Sequence, residues 1–290
     1  MALVDTPAVT ARRVRFDWLD RETDDWHHRL PEFGAAANAI SLLMPHAEPY
    51  VISMVRTGLD QTKAPSTRLL HDVDTLVRQE SAHFKAHRDF NRSLCATSAI
   101  ARRLDRFGAW IFARLAKRSI AFGIAFAAAF EIVAFCSARW AESGLRSYFS
   151  GADERAATLF LWHLAEEIEH KGIAHDVMLA HPTAQRRYKA ALLVAFAVLI
   201  GFTIIGGLAL FCRRFHALSP IRWMRLIGWG VSFAFVVLPV VSASIAKDFH
   251  PDQLVDPPWM AQWLREYDPV TRTLPVWSDA GSGVFRQVVG

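Results

Sequence analysis

Residues 160–176 read FLWHLAEEIEHKGIAHD, and this stretch contains the motif from which the fold of the chain is predicted. It contains His163, Glu167 and His170 in the spacing H-x3-E-x2-H. At about 100° per residue, a helix brings these three side chains within roughly 60° of one another. Two imidazoles and one carboxylate on a single helical face form a ligand set suited to iron, manganese or zinc.

Residues 79–91, QESAHFKAHRDFN, carry a second motif of this type, with Glu80 and His83 spaced as E-x-x-H. Two E-x-x-H helices, with one further glutamate from each of two other helices, make up the ligand pattern of ferritin-like dimetal carboxylate bundles. One copy is weak evidence, but two copies in helical context favour metal ligation. His87 lies on the same face as Glu80. We expect it to contact a ligand, the alternatives being a further ligand or an ordinary polar contact.

The first further glutamate is Glu48, in an apolar stretch that predicts a long helix from about Pro31. Pro45 and Pro49 lie inside this stretch and are expected to kink or split the helix. A carboxylate buried in such a helix must be paired or coordinated, because an isolated buried charge is costly. The alternative is that Glu48 marks a solvated corner where the helix ends.

The second further glutamate is Glu131, the one charged residue in the apolar run 120–136. This run belongs to a predicted third helix over residues 108–140, which follows a short basic connecting helix at 97–106. A helix that is apolar all round suits the centre of a bundle, and its single glutamate is then a metal ligand. A salt bridge between Glu131 and a core arginine is the alternative. Asp153 is expected to begin the fourth helix of the bundle.

The composition changes after the bundle, where residues 190–212 and 226–246 contain no charged side chain. Helices of this length are sufficient to cross a bilayer. The connection between them is basic and is marked by tryptophans (Arg213, Arg214, Arg222, Arg225, Trp223 and the nearby Trp229). These features predict a helical hairpin in a membrane. The alternative is an apolar helix pair buried in a homodimer interface.

The chain is accordingly expected to have four parts: an N-terminal arm (1–30), a ferritin-like dimetal bundle (31–182), an apolar helical hairpin that anchors it in a membrane (183–247), and a C-terminal arm and tail (248–290). Basic residues flank both sides of the hairpin in equal number, so the positive-inside rule does not orient it. The N-terminus shows no signal-peptide pattern, and the three cysteines are expected to be reduced and buried. Both observations favour the cytoplasmic membrane, with the metal domain facing the cytoplasm.

The net charge of +5 is a modest excess, and no block of basic and aromatic residues suggests nucleic-acid binding. The fold class is therefore all-α, and seven residues are predicted metal ligands: Glu48, Glu80, His83, Glu131, His163, Glu167 and His170. Such a set can hold two metal ions. Its mixed oxygen and nitrogen ligands suit iron better than they suit the zinc ion of a closed structural site, and manganese or zinc are the alternatives.

Two ferrous ions can deliver two electrons to dioxygen, which favours an oxygenase or oxidase acting on an apolar or lipid-like substrate. The same ligands can instead hold two hydrolytic metals that activate water. A non-catalytic, metal-binding membrane protein is the third possibility.

The segments QESAH with HRDFN, and WHLAEEIEHK, resemble the bacterial family described as predicted metal-dependent hydrolases. The segment MPHAEPYVISMVR resembles the F-P-x-G-E segment of that family, although His46 and Ala47 replace the usual residues. The resemblance covers roughly residues 10–265 and implies a ferritin-like fold.

The H-x3-E-x2-H helix is also similar to that of diiron arylamine N-oxygenases, in which an extra histidine joins the ferritin-like ligands. His163 occupies the matching place. This resemblance implies that all seven residues are ligands, and the apolar hairpin departs from it because those enzymes are soluble.

Overall fold

The structure is a computed structural model that describes residues 10–12, 14–16, 18, 24–213, 218–246, 248–278 and 286–287. The fold is all-α, as predicted, with one two-stranded sheet near the C-terminus. The helices are α1 (Pro31–Asp60), α2 (Thr67–Thr97), α3 (Ala99–Leu115), α4 (Ile120–Ser143), α5 (Leu145–Phe149), α6 (Glu154–His170), α7 (Ile173–Leu179), α8 (Pro182–Phe211), α9 (Pro220–Ser244) and α10 (Pro258–Leu264). A short 3-10 helix spans Pro251–Gln253, and strands β1 (Pro275–Val276) and β2 (Arg286–Gln287) pair antiparallel.

The centre of the molecule lies between α1, α2, α4 and the α6–α7 pair. Helix α4 is the central element, because it also packs against α8 and α9. Alanines at positions 125 and 127–129 are fully buried in α4 and allow its neighbours to approach closely. Four helices therefore surround one interior in which polar side chains can meet.

Helix α1 runs without a break through Pro45 and Pro49, so these prolines do not split it, and the alternative of a kink stays a prediction. Leu42, Leu43 and Ala47 are fully buried on its inner face, and their packing offsets the two amide hydrogen bonds that the prolines remove. Glu48 is 1% exposed in the middle of the helix, so it does not mark a solvated corner.

The predicted third helix is two helices, α3 and α4, and the boundary at residues 116–119 was missed. The Ser119 hydroxyl accepts a hydrogen bond from the Phe122 amide and caps the start of α4. Helix α3 is correspondingly longer than the predicted connecting helix. The fourth helix begins as predicted, because the Asp153 carboxylate accepts hydrogen bonds from the amides of Arg155 and Ala156.

Among the described residues, three helices are long and apolar enough to cross a membrane, namely α4, α8 and α9. Burial separates them: 83% of the most apolar window is buried in α4, against 39% in α8 and 11% in α9. Helix α4 is therefore a core helix, as expected. Helices α8 and α9 present apolar side chains on the outside of the protein.

The two outer helices lie along the bundle. Helix α8 packs against α1 and α4, and at Gly207 a side-chain Cβ would approach the Cα of Ala36 to 3.0 Å. Basic residues at the end of α8 and in the first turns of α9 also contact the bundle, since Arg225 donates to Glu32 at 2.8 Å and Arg213 pairs with Asp24. Two more of the hairpin's basic residues, Arg214 and Lys247, lie outside the described residues. The division of the chain into four parts stays a prediction.

The described residues of the N-terminal and C-terminal arms contact the bundle. Trp26 is buried and donates from Nε1 to Asn38 Oδ1 at 3.0 Å, and Trp18 packs edge-on against Phe90. The C-terminal arm places Trp263 and Trp277 against α6 and its surroundings. The glycine-rich tail after residue 278 lies outside the described residues, apart from β2.

Candidate metal centre

The seven residues predicted as ligands converge in the interior of the bundle. Glu48 comes from α1, Glu80 and His83 from α2, Glu131 from α4, and His163, Glu167 and His170 from α6. His163 is the most exposed of them, at 7%. Whether they bind metal stays a prediction, but the structure brings all seven together.

The ligand atoms form overlapping groups, within each of which they lie no more than 4.8 Å apart. One group consists of Glu80, Glu131, Glu167 and His170. Two smaller groups share His83, which combines with Glu48 and Glu80 in one and with His163 and Glu167 in the other. Glu80 and Glu167 thus belong both to the group around His170 and to a group around His83.

The residues fit metal ions, because their inward-facing atoms have no other partner. Eight buried atoms of the cluster make no hydrogen bond: both carboxylate oxygens of Glu48 and Glu131, Oε2 of Glu80 and Glu167, and Nδ1 of His83 and His170. Buried polar atoms are almost always hydrogen-bonded, and four buried carboxylates in one interior require compensating positive charge. Described arginine and lysine side chains form no ion pair with these four carboxylates, so the alternative of a Glu131–arginine salt bridge is not observed.

The pKa shifts of the metal-free cluster also agree with a site for metal ions. Burial, followed by the charges of Glu80 and Glu167, raises the pKa of Glu48 well above its ordinary value. Burial lowers the pKa of His83, but its hydrogen bond with Glu166 and the nearby negative charges of Glu166 and Glu80 outweigh that effect and raise it to about 9. Protons therefore balance the carboxylates in the metal-free cluster, and metal ions would replace them.

The outer nitrogen of His170 is fixed as a donor. Its Nε2 lies 2.9 Å from Gln79 Oε1, while Gln79 Nε2 donates to Glu169 at 2.8 Å and to the Thr10 carbonyl at 3.2 Å. Because two acceptors fix the orientation of the Gln79 amide, His170 must donate from Nε2. Its Nδ1 then points inward and can offer a lone pair to a metal ion.

The same arrangement holds His83. Its Nε2 donates to Glu166 at 2.9 Å, and Glu166 accepts from Arg12 at 3.1 Å. Arg12 also donates twice to Glu169, at 2.9 and 3.0 Å. Arg12 and Glu169 therefore join the outer partners of His83 and His170 into one network.

His163 is held by a different chain. Ser41 donates its hydroxyl proton to Asn91 Oδ1 at 2.7 Å, so the 2.8 Å contact between Ser41 Oγ and His87 Nδ1 must be donated by His87. His87 Nε2 is then an acceptor, and His163 donates to it from Nδ1 at 2.7 Å. The His163 Nε2 atom therefore carries a lone pair, and it faces Glu167 at 2.7 Å and Glu48 at 3.5 Å. A lone pair this close to two carboxylates is favourable only when a proton or a metal ion is shared among the three groups.

His87 contacts a predicted ligand, as expected, but the sequence analysis missed its partners. Ser41 and Asn91 complete the chain behind His87, while Arg12, Gln79, Glu166 and Glu169 support His83 and His170. Gln79 and Glu166 each directly precede a predicted ligand, which is a weak signal. Arg12 lies 154 positions from Glu166 and gives no local signal.

A model of the family described as "predicted metal-dependent hydrolase" matches residues 10–254. The chain belongs to this family. The match extends from the N-terminal arm to the segment after α9, so it covers the whole bundle and all seven predicted ligands. Neither a curated protein nor a solved structure matches the chain significantly. Family membership supports metal dependence and an enzymatic role, in agreement with the buried groups of metal-ligand residues.

Proposed function

We propose that the chain is a hydrolase that works with two metal ions held inside the helical bundle. One observation carries the proposal: eight buried ligand atoms face one another without any hydrogen-bond partner, in a chain of the metal-dependent hydrolase family. Glu80 and Glu167 belong to groups on both sides of the centre, and they would help to hold the ions there. Glu131 and His170 would complete one site, and Glu48, His83 and His163 the other.

Bound metal ions would supply Lewis-acid activation of water and of the carbonyl or phosphoryl oxygen of the substrate. The protein's own residues contribute orientation and charge. The Gln79, Glu166 and His87 partners fix the three imidazoles with their lone pairs inward, so the site needs little reorganisation when it is loaded.

The oxidation of an apolar substrate by dioxygen is the second candidate function. The observation that favours it is the apolar shell of the centre. Trp162 packs edge-on against His83, with the ring centroids 4.6 Å apart, and two buried phenylalanines, Phe130 and Phe135, lie on α4 next to the predicted ligand Glu131. Such a shell excludes water and suits apolar substrates. With iron bound, the centre would supply the electrons for dioxygen reduction.

The outer surface of α8 and α9 supports a membrane location for either reaction. We place the protein at the cytoplasmic membrane with the metal domain facing the cytoplasm, and we expect an apolar or lipid-like substrate to arrive from the bilayer. A homodimer through the same helices is the competing arrangement. Size analysis in detergent and fractionation of cell membranes distinguish the two.

The first experiment measures metal content and oxygen dependence together. Protein purified anaerobically in detergent is analysed for bound metal and then assayed on ester and phosphoester substrates with and without dioxygen. About two metal ions per chain and turnover without oxygen support the hydrolase. Two irons, an absorption change on exposure to air and no hydrolysis support the oxidase instead.

Two substitutions on α1 make a matched pair for this experiment. Both Glu48 and Glu32 are 1% exposed, but Glu32 is paired with Arg225 outside the centre. Glu48→Gln is expected to lower metal content and turnover, whereas Glu32→Gln should leave metal content unchanged. Equal metal content in the two variants overturns the assignment of Glu48.

A further inference from the structure

Helix α3 carries a row of basic and aromatic side chains on its outer surface. Arg103, Phe107, Trp110 and Arg114 recur at spacings of four, three and four residues, which places them within about 60° of one another on the helix. All four are exposed, Phe107 at 42% and Trp110 at 54%. The two rings stack with centroids 5.8 Å apart, and the Arg114 guanidinium lies 5.3 Å from the Trp110 ring. We call these four residues the α3 row.

The opposite face of α3 is firmly attached to the protein. Ala101, Leu104, Gly108 and Phe112 are buried on that face. A Cβ at Gly108 would approach the His46 side chain to 3.1 Å, so α3 lies close against α1. The α3 row is therefore presented outward by a fixed helix.

The row adjoins the apolar outer surface of α8. The Phe107 ring stacks on Phe202 of α8 with a centroid distance of 6.0 Å and an angle of 10°. Further along α8, Leu193 is 71% exposed and Ile205 is 62% exposed. Aromatic side chains thus lie at the border between the basic helix α3 and the uncharged part of α8, residues 190–211, and aromatic side chains are common where a protein meets the membrane interface.

Helix α9 extends this apolar surface. Met224, Ile227, Val231, Phe235 and Leu238 are each more than half exposed and recur at helical spacing. Apolar surface of this extent marks a site of protein or membrane contact.

The charged side chains of α3 are almost all cationic. Six cationic side chains are exposed on the helix and the turn that follows it: Arg102, Arg103, Arg106, Arg114, Lys117 and Arg118. The one acidic residue of α3 is Asp105, which already accepts a hydrogen bond from His46 at 2.8 Å. Arg102 donates to the carbonyl oxygens of Cys95 and Ala96 at the end of α2, and the other five cations are available to an external anion.

We propose that α3 binds the anionic headgroups of phospholipids, with Phe107 and Trp110 seated at the boundary between headgroups and acyl chains. This inference rests on the proposed membrane location and names the lipid class that the protein recognises there. A basic amphipathic helix with aromatic residues binds anionic membranes through both contributions, apolar burial and charge. A second copy of the chain fits this surface less well, because a two-fold contact through α3 would bring like charges together.

The test compares nanodiscs of phosphatidylcholine alone with nanodiscs that also contain phosphatidylglycerol, using hydrogen exchange of the α3 amides. Wild-type α3 should exchange on the order of tenfold more slowly in the anionic discs. The triple variant R103Q/R106Q/R114Q should lose this difference. The control R68Q/R78Q/R265Q removes three exposed charges from α2 and the end of α10, and it should behave as the wild type.

The outcomes separate this inference from the membrane proposal. Incorporation into both kinds of disc with equal α3 exchange overturns headgroup binding and leaves the membrane location standing. Protein that stays lipid-free, as a monodisperse dimer without detergent, overturns both. A triple variant that retains the lipid-dependent protection overturns the assignment to α3, and its unchanged helix content by circular dichroism shows that it is folded.

Discussion

His87 donates no hydrogen bond to His163; it accepts one, from His163 Nδ1 at a distance of 2.7 Å. The direction follows from Ser41, whose single hydroxyl proton is donated to Asn91. Burial, followed by the nearby charges of His163 and His83, lowers the pKa of His87 well below its ordinary value, which agrees with a neutral acceptor. His87 therefore orients His163 without being part of the ligand groups.

Replacing His87 by leucine should weaken metal binding without removing any predicted ligand. Without its acceptor, His163 can rotate or adopt the other tautomer, and loss of such an outer partner typically lowers metal affinity by about 10–100-fold. Chelator competition followed by metal analysis measures the effect. His71→Leu, an exposed histidine on the same helix, is the control. Equal affinities for the two variants would show that His87 has only a packing role.

Removal of His163 itself should have a different result. His163→Ala deletes one inward lone pair, so one metal position should empty or change its spectrum while the other is retained. The helix content should stay the same, because α6 is capped by Asp153 and packed on α4 independently of this ring. Metal analysis, optical spectra and circular dichroism report the three quantities. Full occupancy with an unchanged spectrum would exclude His163 as a ligand.

Arg12 is expected to be critical for stability although it lies far from the centre in sequence. Arg12→Met leaves Glu166 buried without its cation and breaks both hydrogen bonds to Glu169, a loss of roughly 2–4 kcal/mol. Urea unfolding measures this loss in the free energy of unfolding. Arg12→Met combined with Glu166→Gln should recover part of the loss, because the uncompensated charge is gone. A double variant no more stable than the single one contradicts this explanation.

The sequence predicted the ligands well because their signal is local. The E-x-x-H spacing of Glu80 and His83 is fixed by the helix period, and the isolated charge of Glu131 in an apolar run marks a buried carboxylate. The outer partners could not be predicted in this way. Contacts such as Arg12 with Glu166 depend on how distant segments pack, and no period in the sequence records them.

The predictions of helix boundaries were wrong for related physical reasons. Proline normally interrupts a helix, but in α1 the packing around Leu42 and Ala47 overrides the preference of Pro45 and Pro49. The break before α4 was missed because the residues around it are good helix formers, and only Ser119 signals a cap. The expected burial of all three cysteines holds only for Cys136, because Cys95 is half-buried and Cys212 is exposed.

The packing of α8 on α1 gives a further prediction. A side chain at Gly207 would meet the backbone of Ala36, whereas Gly201 on the same helix has open space around it. Gly207→Val should destabilise the protein by roughly 1–3 kcal/mol, because the backbone of α1 cannot move aside as a flexible side chain would. Gly201→Val should have little effect. Thermal unfolding in detergent compares the two. Equal stability would mean that α8 does not stay packed against the bundle.

His175 should make the protein sensitive to acid independently of the metal centre. It is 2% exposed on α7, and its ring packs edge-on against Phe249 and His250. Burial, followed by the charge of His250, lowers the pKa of His175 to about 4. An unfolded histidine has a pKa of about 6.5, so the unfolded chain binds the proton more readily. The stability that neutral His175 contributes is therefore complete above about pH 6.5 and is lost as the pH falls towards 4.

The test is the substitution His175→Phe, which keeps a ring in the same place and removes the titration. Between pH 7.5 and pH 5, the variant should lose roughly 1–2 kcal/mol less unfolding free energy than the wild type. The comparison cancels the titration of distant groups, which is the same in both proteins, whereas His250 interacts with His175 and is examined by a variant of its own. His250→Gln is the opposite control: the hydrogen bond with Asp176 raises the pKa of His250, so His250 contributes stability at low pH that its removal should abolish. Parallel pH profiles for His175→Phe and the wild type would show that His175 accepts its proton in the folded state as easily as in the unfolded chain.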